Sequence, residues 1–428
     1  MRIPRDAMFR RFQAYGFLKN LRFFDPFLVL FFRETGLSFL EIGALYSVRE
    51  IAINLLEIPT GIVADACGRR RAMILSFVAY LFSYLLFYFL RGFPAFAGAM
   101  VLFAVGEAFR SGTHKAMILE HLRIRGLENL KVAYYGRTRA ASLIGSAVAA
   151  VIAAGLVFYA GSYRIVFLAS TVPYLLGLAL LASYPRRLDG DLEVVTGGWM
   201  GRARRRVSAT TGEFLRTVRR RGVLSGLLSS AGFDALFRSS KDYLQPILQR
   251  QAIAMPILVS LQADKRAALL VGTAYFVIYL VASCACRSAG WLQMRAASPS
   301  TAVHRTFLLG MGVLAIAGVA SWLKLYGLAT LAFLILFFLQ NARRPILVGY
   351  IADLVDHRTL ATSLSVEAQF RTLLVAGAAP LIGWIADRGG MGAALIAAAV
   401  GGTVLAGLLR VCTPRNETSS PPGREACP

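Results

Sequence analysis

Residues Leu55–Met73 read LLEIPTGIVADACGRRRAM, and the way this stretch is read decides the fold. It begins inside an apolar run, carries Glu57, Pro59 and Asp65, and breaks at Gly68 into Arg69, Arg70 and Arg71. An apolar segment of about twenty residues is long enough to cross a bilayer as a helix. Arginines directly after such a segment mark the side where the loop stays, because cytoplasmic loops collect Lys and Arg. The stretch therefore reads as the end of one span, a short cytoplasmic turn and the start of the next.

The rest of the chain agrees. Of its 428 residues, 57% are hydrophobic and only 16% charged, whereas a soluble domain has roughly 45–50% apolar and about 25% charged residues. Twelve apolar runs are predicted to span the membrane: 12–32, 39–63, 72–90, 94–118, 138–160 and 163–184 in the first half, then 223–245, 267–286, 306–322, 326–347, 362–386 and 391–411. Residues 246–266 are only half apolar and are expected to form a re-entrant or surface segment. The short alternating strands of a membrane β-barrel are absent from this pattern. The first run is read as a span, not a cleaved signal, since no small-residue cleavage site follows it.

The net charge of +24 would suggest nucleic acid in a soluble protein. Here it follows from topology: with the N-terminus inside, most Lys and Arg fall in cytoplasmic loops, and the reverse orientation inverts that bias. Both termini are expected in the cytoplasm, with the protein in the cell inner (plasma) membrane. Cys67, Cys284, Cys286, Cys412 and Cys427 form no CxxC and no zinc spacing, and the histidines are scattered, so reduced thiols and no metal or cofactor are expected. No H-E-x-x-H or G-x-S-x-G motif points to an enzyme.

The chain divides into a bundle over 1–185, an Arg-rich cytoplasmic linker over 186–222, a second bundle over 223–412, and a Pro/Ser-rich tail over 413–428 that is expected to be disordered. An amphipathic helix over Thr210–Arg220 is one reading of the linker; a solvated, positively charged loop is the other. Two groups of six spans joined by a basic linker are typical of transporters built from repeats. The internal repeat is weak, with YYGRTRAASLIGSAVAA before the fifth span and DHRTLATSLSVEAQFRT before the eleventh as the most similar pair.

The opening stretch resembles the signature between spans 2 and 3 of the major facilitator superfamily, roughly G-x-x-x-D-[RK]-x-G-[RK]-[RK]. Gly61, Asp65, Gly68, Arg69 and Arg70 match it in identity and spacing, while Ala66 replaces the usual basic residue. The preceding EIPTG is similar to uncharacterised bacterial members of that superfamily. The resemblance implies an all-α polytopic membrane protein with twelve transmembrane helices in two six-helix bundles. It also implies that Asp65 and the arginines form a cytoplasmic latch between the bundles, closed in the outward-facing state. The residues support this physically: Gly61 lets another helix approach closely, and Asp65 at a span end can face a helix N-terminus or an arginine.

Charges within spans are costly, so they face a bundle interior or a partner. The first span carries Lys19, Arg22 and Asp25 before Pro26; the second, Glu50 and Glu57; the fourth, Glu107, Arg110, His114 and Lys115; the seventh, Asp234, Arg238, Lys241 and Asp242; the eleventh, Glu367 and Arg371. The resemblance implies that spans 1, 4, 7 and 10 line a central cavity. Span 10 offers only Gln340 and Asn341. Arg22, Asp25, Arg110, Asp234, Arg238 and Lys241 are the expected substrate-binding residues, and their basic excess points to an organic anion or zwitterion, since arginine suits carboxylate and phosphate. The alternative for Glu107–Arg110, Asp234–Arg238 and Glu367–Arg371 is structural pairing within one helix. Glu50, Glu57 and Glu107 are candidates for proton coupling, because a carboxyl in apolar surroundings can take up a proton near neutral pH.

The function expected from these residues is secondary active transport of a small solute by alternating access, with protons as a candidate coupling ion, in a monomer partnered by the lipid bilayer and no nucleic acid. Two other readings stand beside it. A drug/proton antiporter loses support because the fifth span, SLIGSAVAAVIAAG, lacks the G-P dipeptide frequent in such members of the family. A non-transporting sensor or scaffold on the same fold is the other.

Overall fold

The computed structural model describes residues 6–189, 212, 221–255, 260–294, 299–354 and 360–409. Most of the linker and the tail lie outside them, as does the helix expected over 210–220 except for residue 212. The described residues form fourteen α-helices. In the first half these are α1 (Ala7–Lys19), α2 (Leu28–Glu34), α3 (Phe39–Cys67), α4 (Arg69–Phe89), α5 (Phe93–Arg110), α6 (Thr113–Ile124), α7 (Lys131–Ala160) and α8 (Ile165–Ala182). In the second half they are α9 (Arg221–Ser240), α10 (Leu244–Ala254), α11 (Ala263–Met294), α12 (Pro299–Trp322), α13 (Tyr326–Leu354) and α14 (Leu360–Leu408). The last contains two spans that meet at Gly390, where φ is 81°.

Eight helical segments are long and apolar enough to cross a membrane by length and composition. The first, second and seventh predicted spans are not among them, for a local reason. The second, α3, carries several charges along its 29 residues. The first is split into α1 and α2, with irregular backbone over residues 20–24 and a 3-10 turn at Asp25–Phe27. The seventh is split into α9 and α10 by a 3-10 turn at Lys241–Tyr243. The break in the first span therefore begins ahead of Pro26, and residues 244–254 extend the seventh span as helix instead of forming a surface segment. The fourth predicted span is also broken, between α5 and α6 at Ser111 and Gly112.

Local chemistry fixes the ends. Ser38 accepts from the Glu41 amide while the Glu41 carboxylate accepts from the Ser38 amide, a reciprocal cap at the start of α3. Gly68, at φ 95°, turns the chain between α3 and α4. The Asp189 carboxylate then accepts from the Arg70 amide at 2.7 Å, placing an anion at the N-terminus of α4. A β-carbon on Gly68 would lie 2.9 Å from that carboxyl group, so glycine serves both the turn and the cap.

Helices α1, α3, α4, α5, α7 and α8 pack among themselves, and α9 to α14 do the same. The first half is held by an aromatic core in which Phe31, Phe87 and Phe167 are in mutual ring contact and Phe24 stacks on Phe167. The halves meet through α3 against α14 and α7 against α11. Both contacts rest on small residues. A β-carbon on Gly383 would sit 2.2 Å from the Phe39 carbonyl oxygen, and one on Gly43 2.4 Å from that of Ala379. Ala150 and Ala154 of α7 receive Gly272 of α11 in the same way. Among the described residues, hydrogen bonds between the halves run from residues 25–47 to residues 242–245 and 376–387. This closes one end of the molecule, the end of the turns at Gly36, Gly161 and Gly390.

Candidate substrate cavity

A cavity of about 470 Å³ lies between the halves, beyond these closing contacts. Its walls come from α2, α3, α5, α7, α9, α11 and α13 and from the broken stretches of the first and seventh spans. Six basic side chains line it (Arg22, Arg49, Arg110, Arg238, Lys241 and Arg344) against five acidic ones (Asp25, Glu50, Glu107, Asp234 and Asp242). All six residues expected to bind substrate are on this wall. The charge balance is closer to neutral than the sequence suggested, because Glu50 joins the acids.

In the first half, Glu107 is clamped by two guanidinium groups. Arg22 donates to it at 2.5 Å from the irregular stretch of the first span, and Arg110 donates from one turn further along α5. Tyr174 of α8 accepts from Arg22 Nε at 2.9 Å and in turn donates to the Lys19 carbonyl. Tyr80 accepts from Arg110 Nε at 3.2 Å. The Arg22 guanidinium also sits over the rings of Phe103 and Tyr80, at 5.1 and 5.5 Å from their centres. A cation over an aromatic face is attracted by the ring quadrupole, which holds the guanidinium flat against the wall.

In the second half, Asp234 is the hub. It accepts from Arg238 at 3.1 Å and from Gln340 at 2.5 Å, and Arg371 of α14 approaches to 3.5 Å. Arg371 also reaches Glu367 at 3.4 Å, and Glu367 accepts from Ser230. The three pairs expected within single helices are therefore all formed, and each is extended across helices. Arg343 was missed in the sequence: it is 3% exposed and lies over the rings of Phe233 and Phe307. It falls inside the tenth predicted span, but the aromatic rings that hold it come from other helices and are remote in sequence.

At the closed end of the cavity the broken stretches meet. Gln245 accepts from the Val29 amide at 2.8 Å and donates to the Asp25 carbonyl and the Tyr275 hydroxyl. It therefore satisfies backbone groups that a continuous helix would pair internally. Tyr46 of α3 donates to Asp242, which also accepts from Lys241 at 2.6 Å. The Asp25 carboxylate has no hydrogen bond or ion pair among the described residues, although the charges of Arg22, Lys241, Asp242 and Arg49 act on it.

The proton-coupling candidates are placed unequally. Glu50 is buried and pairs with Arg49 at 2.9 Å. Glu107 lies between its two arginines. Glu57 is exposed on α3, and Arg371 is the charged group that acts on it. In the signature stretch, Arg69 pairs with Glu120 and Arg70 donates to the Tyr184 carbonyl, both within the first half. Asp65 also has an interaction partner. Gly61 is half-buried on α3. Among the described residues no cluster of His, Cys, Asp and Glu has the geometry to hold a metal ion.

Comparison with known proteins fits this arrangement. Residues 18–366 match the Major Facilitator Superfamily. Over 104 residues the chain is 28% identical to the uncharacterized MFS-type transporter YxaM of Bacillus subtilis (strain 168), a match spanning 24% of this chain and 26% of that relative. The fold is similar to that of the nucleoside transporter NupG, with a TM-score of 0.73 at 10% identity, covering 94% of this chain and 98% of the other. A POT family transporter in complex with 5-aminolevulinic acid gives 0.69 at 14% identity, covering 94% and 93%. The peptide transporter POT in complex with sulfate gives 0.71 at 13% identity over the same shares. The chain belongs to the major facilitator superfamily and is a multi-pass membrane protein.

Proposed function

We propose that this transporter carries a small zwitterion, a solute bearing both an amine and a carboxylate or phosphate, by alternating access. The observation that carries the reading is the distribution of charge in the cavity. Arg22, Arg110 and Arg238 offer guanidinium groups on opposite walls, while the Asp25 carboxylate between them has no bonded partner among the described residues. Guanidinium groups are suited to a carboxylate or phosphate, and Asp25 is suited to an ammonium group. The volume of about 470 Å³ falls within the roughly 300–1,000 Å³ of small-molecule sites. The neighbour solved with 5-aminolevulinic acid, itself an amine with a carboxylate, supports the same class.

The closed end carries few arginines and the opposite end carries the Arg69–Arg71 turn, so the positive-inside bias orients the cavity toward the cytoplasm. On this reading the protein sits in the inner (plasma) membrane with both termini inside. In such an inward-open state the latch arginines are expected to bind within their own half. Of the three coupling candidates, Glu57 is the one whose carboxyl is not held by an ion pair among the described residues, and we assign it the proton.

The test is the melting temperature of purified protein against amino acids, organic anions and lipophilic cations. A ligand at a hundredfold excess over its Kd stabilises the native state by about 2.7 kcal/mol. Shifts are expected with zwitterions and should vanish in Arg22→Ala, Arg238→Ala and Asp25→Asn. Shifts confined to lipophilic cations would replace this reading with drug export. No shift with any class, together with tolerance of all three changes, would favour a sensor or scaffold.

A further inference from the structure

A second cavity of about 290 Å³ opens within the first half, between α1, the α5–α6 break and α7. Its ionisable lining is Lys19, Arg110, His114, Lys115 and Arg139, together with Tyr15 and Tyr135, and among the described residues no acidic one lines it. Arg110 is balanced by Glu107 on the side of the central cavity. Lys19 makes no hydrogen bond or ion pair with its side chain among the described residues; the charges of Arg110 and Arg22, of Glu107 in the opposite sense, and of Arg139 act on it. An ionisable group at this depth ordinarily pairs with another or with backbone carbonyls, and removing one partner of a buried pair leaves a costly uncompensated charge.

Other groups point to the same missing partner. Tyr15 is 3% exposed, and among the described residues its hydroxyl has no hydrogen-bond partner; the His114 Nε2 atom is buried and equally unpartnered there. The two rings are stacked, with centres 3.8 Å apart, which fixes both polar ends. Gly112, at φ 77°, starts α6 on the cavity wall without any side-chain cap. Free amides at a helix N-terminus favour an anion, and tetrahedral oxyanions are held in this way elsewhere. By contrast the hydroxyls of Ser142, Ser146 and Thr138 donate to carbonyls of their own helix, so they do not neutralise the cations.

We propose that this side cavity is a binding site for a phosphate-class oxyanion, with Lys19 and Arg139 as its charged ligands and Tyr15 and His114 as hydrogen-bonding groups. The oxyanion is either a free phosphate compound or the headgroup of an anionic lipid. Because Arg110 and Leu143 line both cavities, occupancy would bear on the Arg22–Glu107–Arg110 clamp.

The experiment uses the full chain, purified and delipidated in a neutral detergent, with inorganic phosphate titrated against chloride at constant ionic strength. A saturable rise in melting temperature is expected with phosphate. The apparent Kd should increase at least tenfold in Lys19→Gln and in Arg139→Gln, and should return toward the original in Arg139→Lys. Arg238→Gln, which alters only the central cavity, should keep the phosphate response while losing the zwitterion response, so failure of this proposal and failure of the transport reading are separable. If Lys19→Gln does not yield monodisperse protein, the exposed Arg139 carries the test alone. A second titration compares phosphatidylglycerol with phosphatidylcholine. Competition of the former with phosphate identifies a headgroup as occupant, and its absence identifies a free phosphate compound. No response beyond that to chloride, or a response unchanged in Lys19→Gln and Arg139→Gln, overturns the site.

Discussion

At the scale of the residue, the chemistry turns on how each charge is neutralised. Glu107 holds two arginines from different elements, so its removal leaves two guanidinium groups facing each other. Glu107→Gln is expected to lower stability by on the order of 2 kcal/mol, less than the roughly 3–5 kcal/mol of a fully dry pair because the cavity admits water. It should also abolish uptake of the substrate into vesicles. Glu57→Gln should melt as the parent does, since Glu57 has no ion pair to lose among the described residues, yet uncouple transport from protons. Acidification of vesicles that persists in this variant would show that another group carries the proton. Pairs within one helix, such as Asp234–Arg238, were legible from their spacing alone. The bonds from Arg22 to Glu107 and from Gln340 to Asp234 were not, because they join residues far apart in sequence.

At the scale of the element, two features set the mechanics. The first and seventh spans are each interrupted beside an aspartate, at Asp25 and Asp242, and Gln245 stitches the interruptions together. Pro26 announced the first break, whereas the second has no proline at the turn itself and falls in the polar run Arg238–Asp242, inside a single predicted span. The other feature is the close approach of α3 and α14 at the closed end. Phe39 and Leu40 donate their amides to Asp387, capping the start of α3, and Gly383 lets the backbones meet. Gly383→Val puts a branched side chain where there is no room for a β-carbon. It is expected to force this end open and raise the labelling of Ile53→Cys, on the cavity wall, by an impermeant maleimide added from that side. Unchanged labelling would mean that α3 and α14 accommodate the side chain by sliding.

At the scale of the whole molecule, the two halves share one hydrophobic cluster at the end where they meet and enclose the charged cavity beyond it. On the proposed orientation, with the Arg-rich turns inside, that cavity opens toward the cytoplasm. In oriented vesicles, Ile53→Cys in a Cys67→Ser background should react with an impermeant reagent at least tenfold faster from the cytoplasmic face than the Cys67→Ser chain alone does. Faster reaction from the other face would reverse either the orientation or the resting state. Cys67 is exposed on the same turn as the arginines and reports the orientation independently.

The sequence by itself determined the all-α polytopic membrane class and most of the charged residues that line the central cavity, Arg49 and Arg344 excepted. These follow from local quantities: the length of an apolar run against the thickness of a bilayer, the bias of Lys and Arg in loops, and the cost of a charge in hydrocarbon. Only the tertiary structure decided which of those charges cancel. It also decided where three of the spans break and which end of the cavity is shut, and it left Lys19 and Asp25 without bonded partners among the described residues. Coulombic and hydrogen-bond energies depend on distances of a few ångströms between residues remote in sequence, and those distances exist only once the helices have packed.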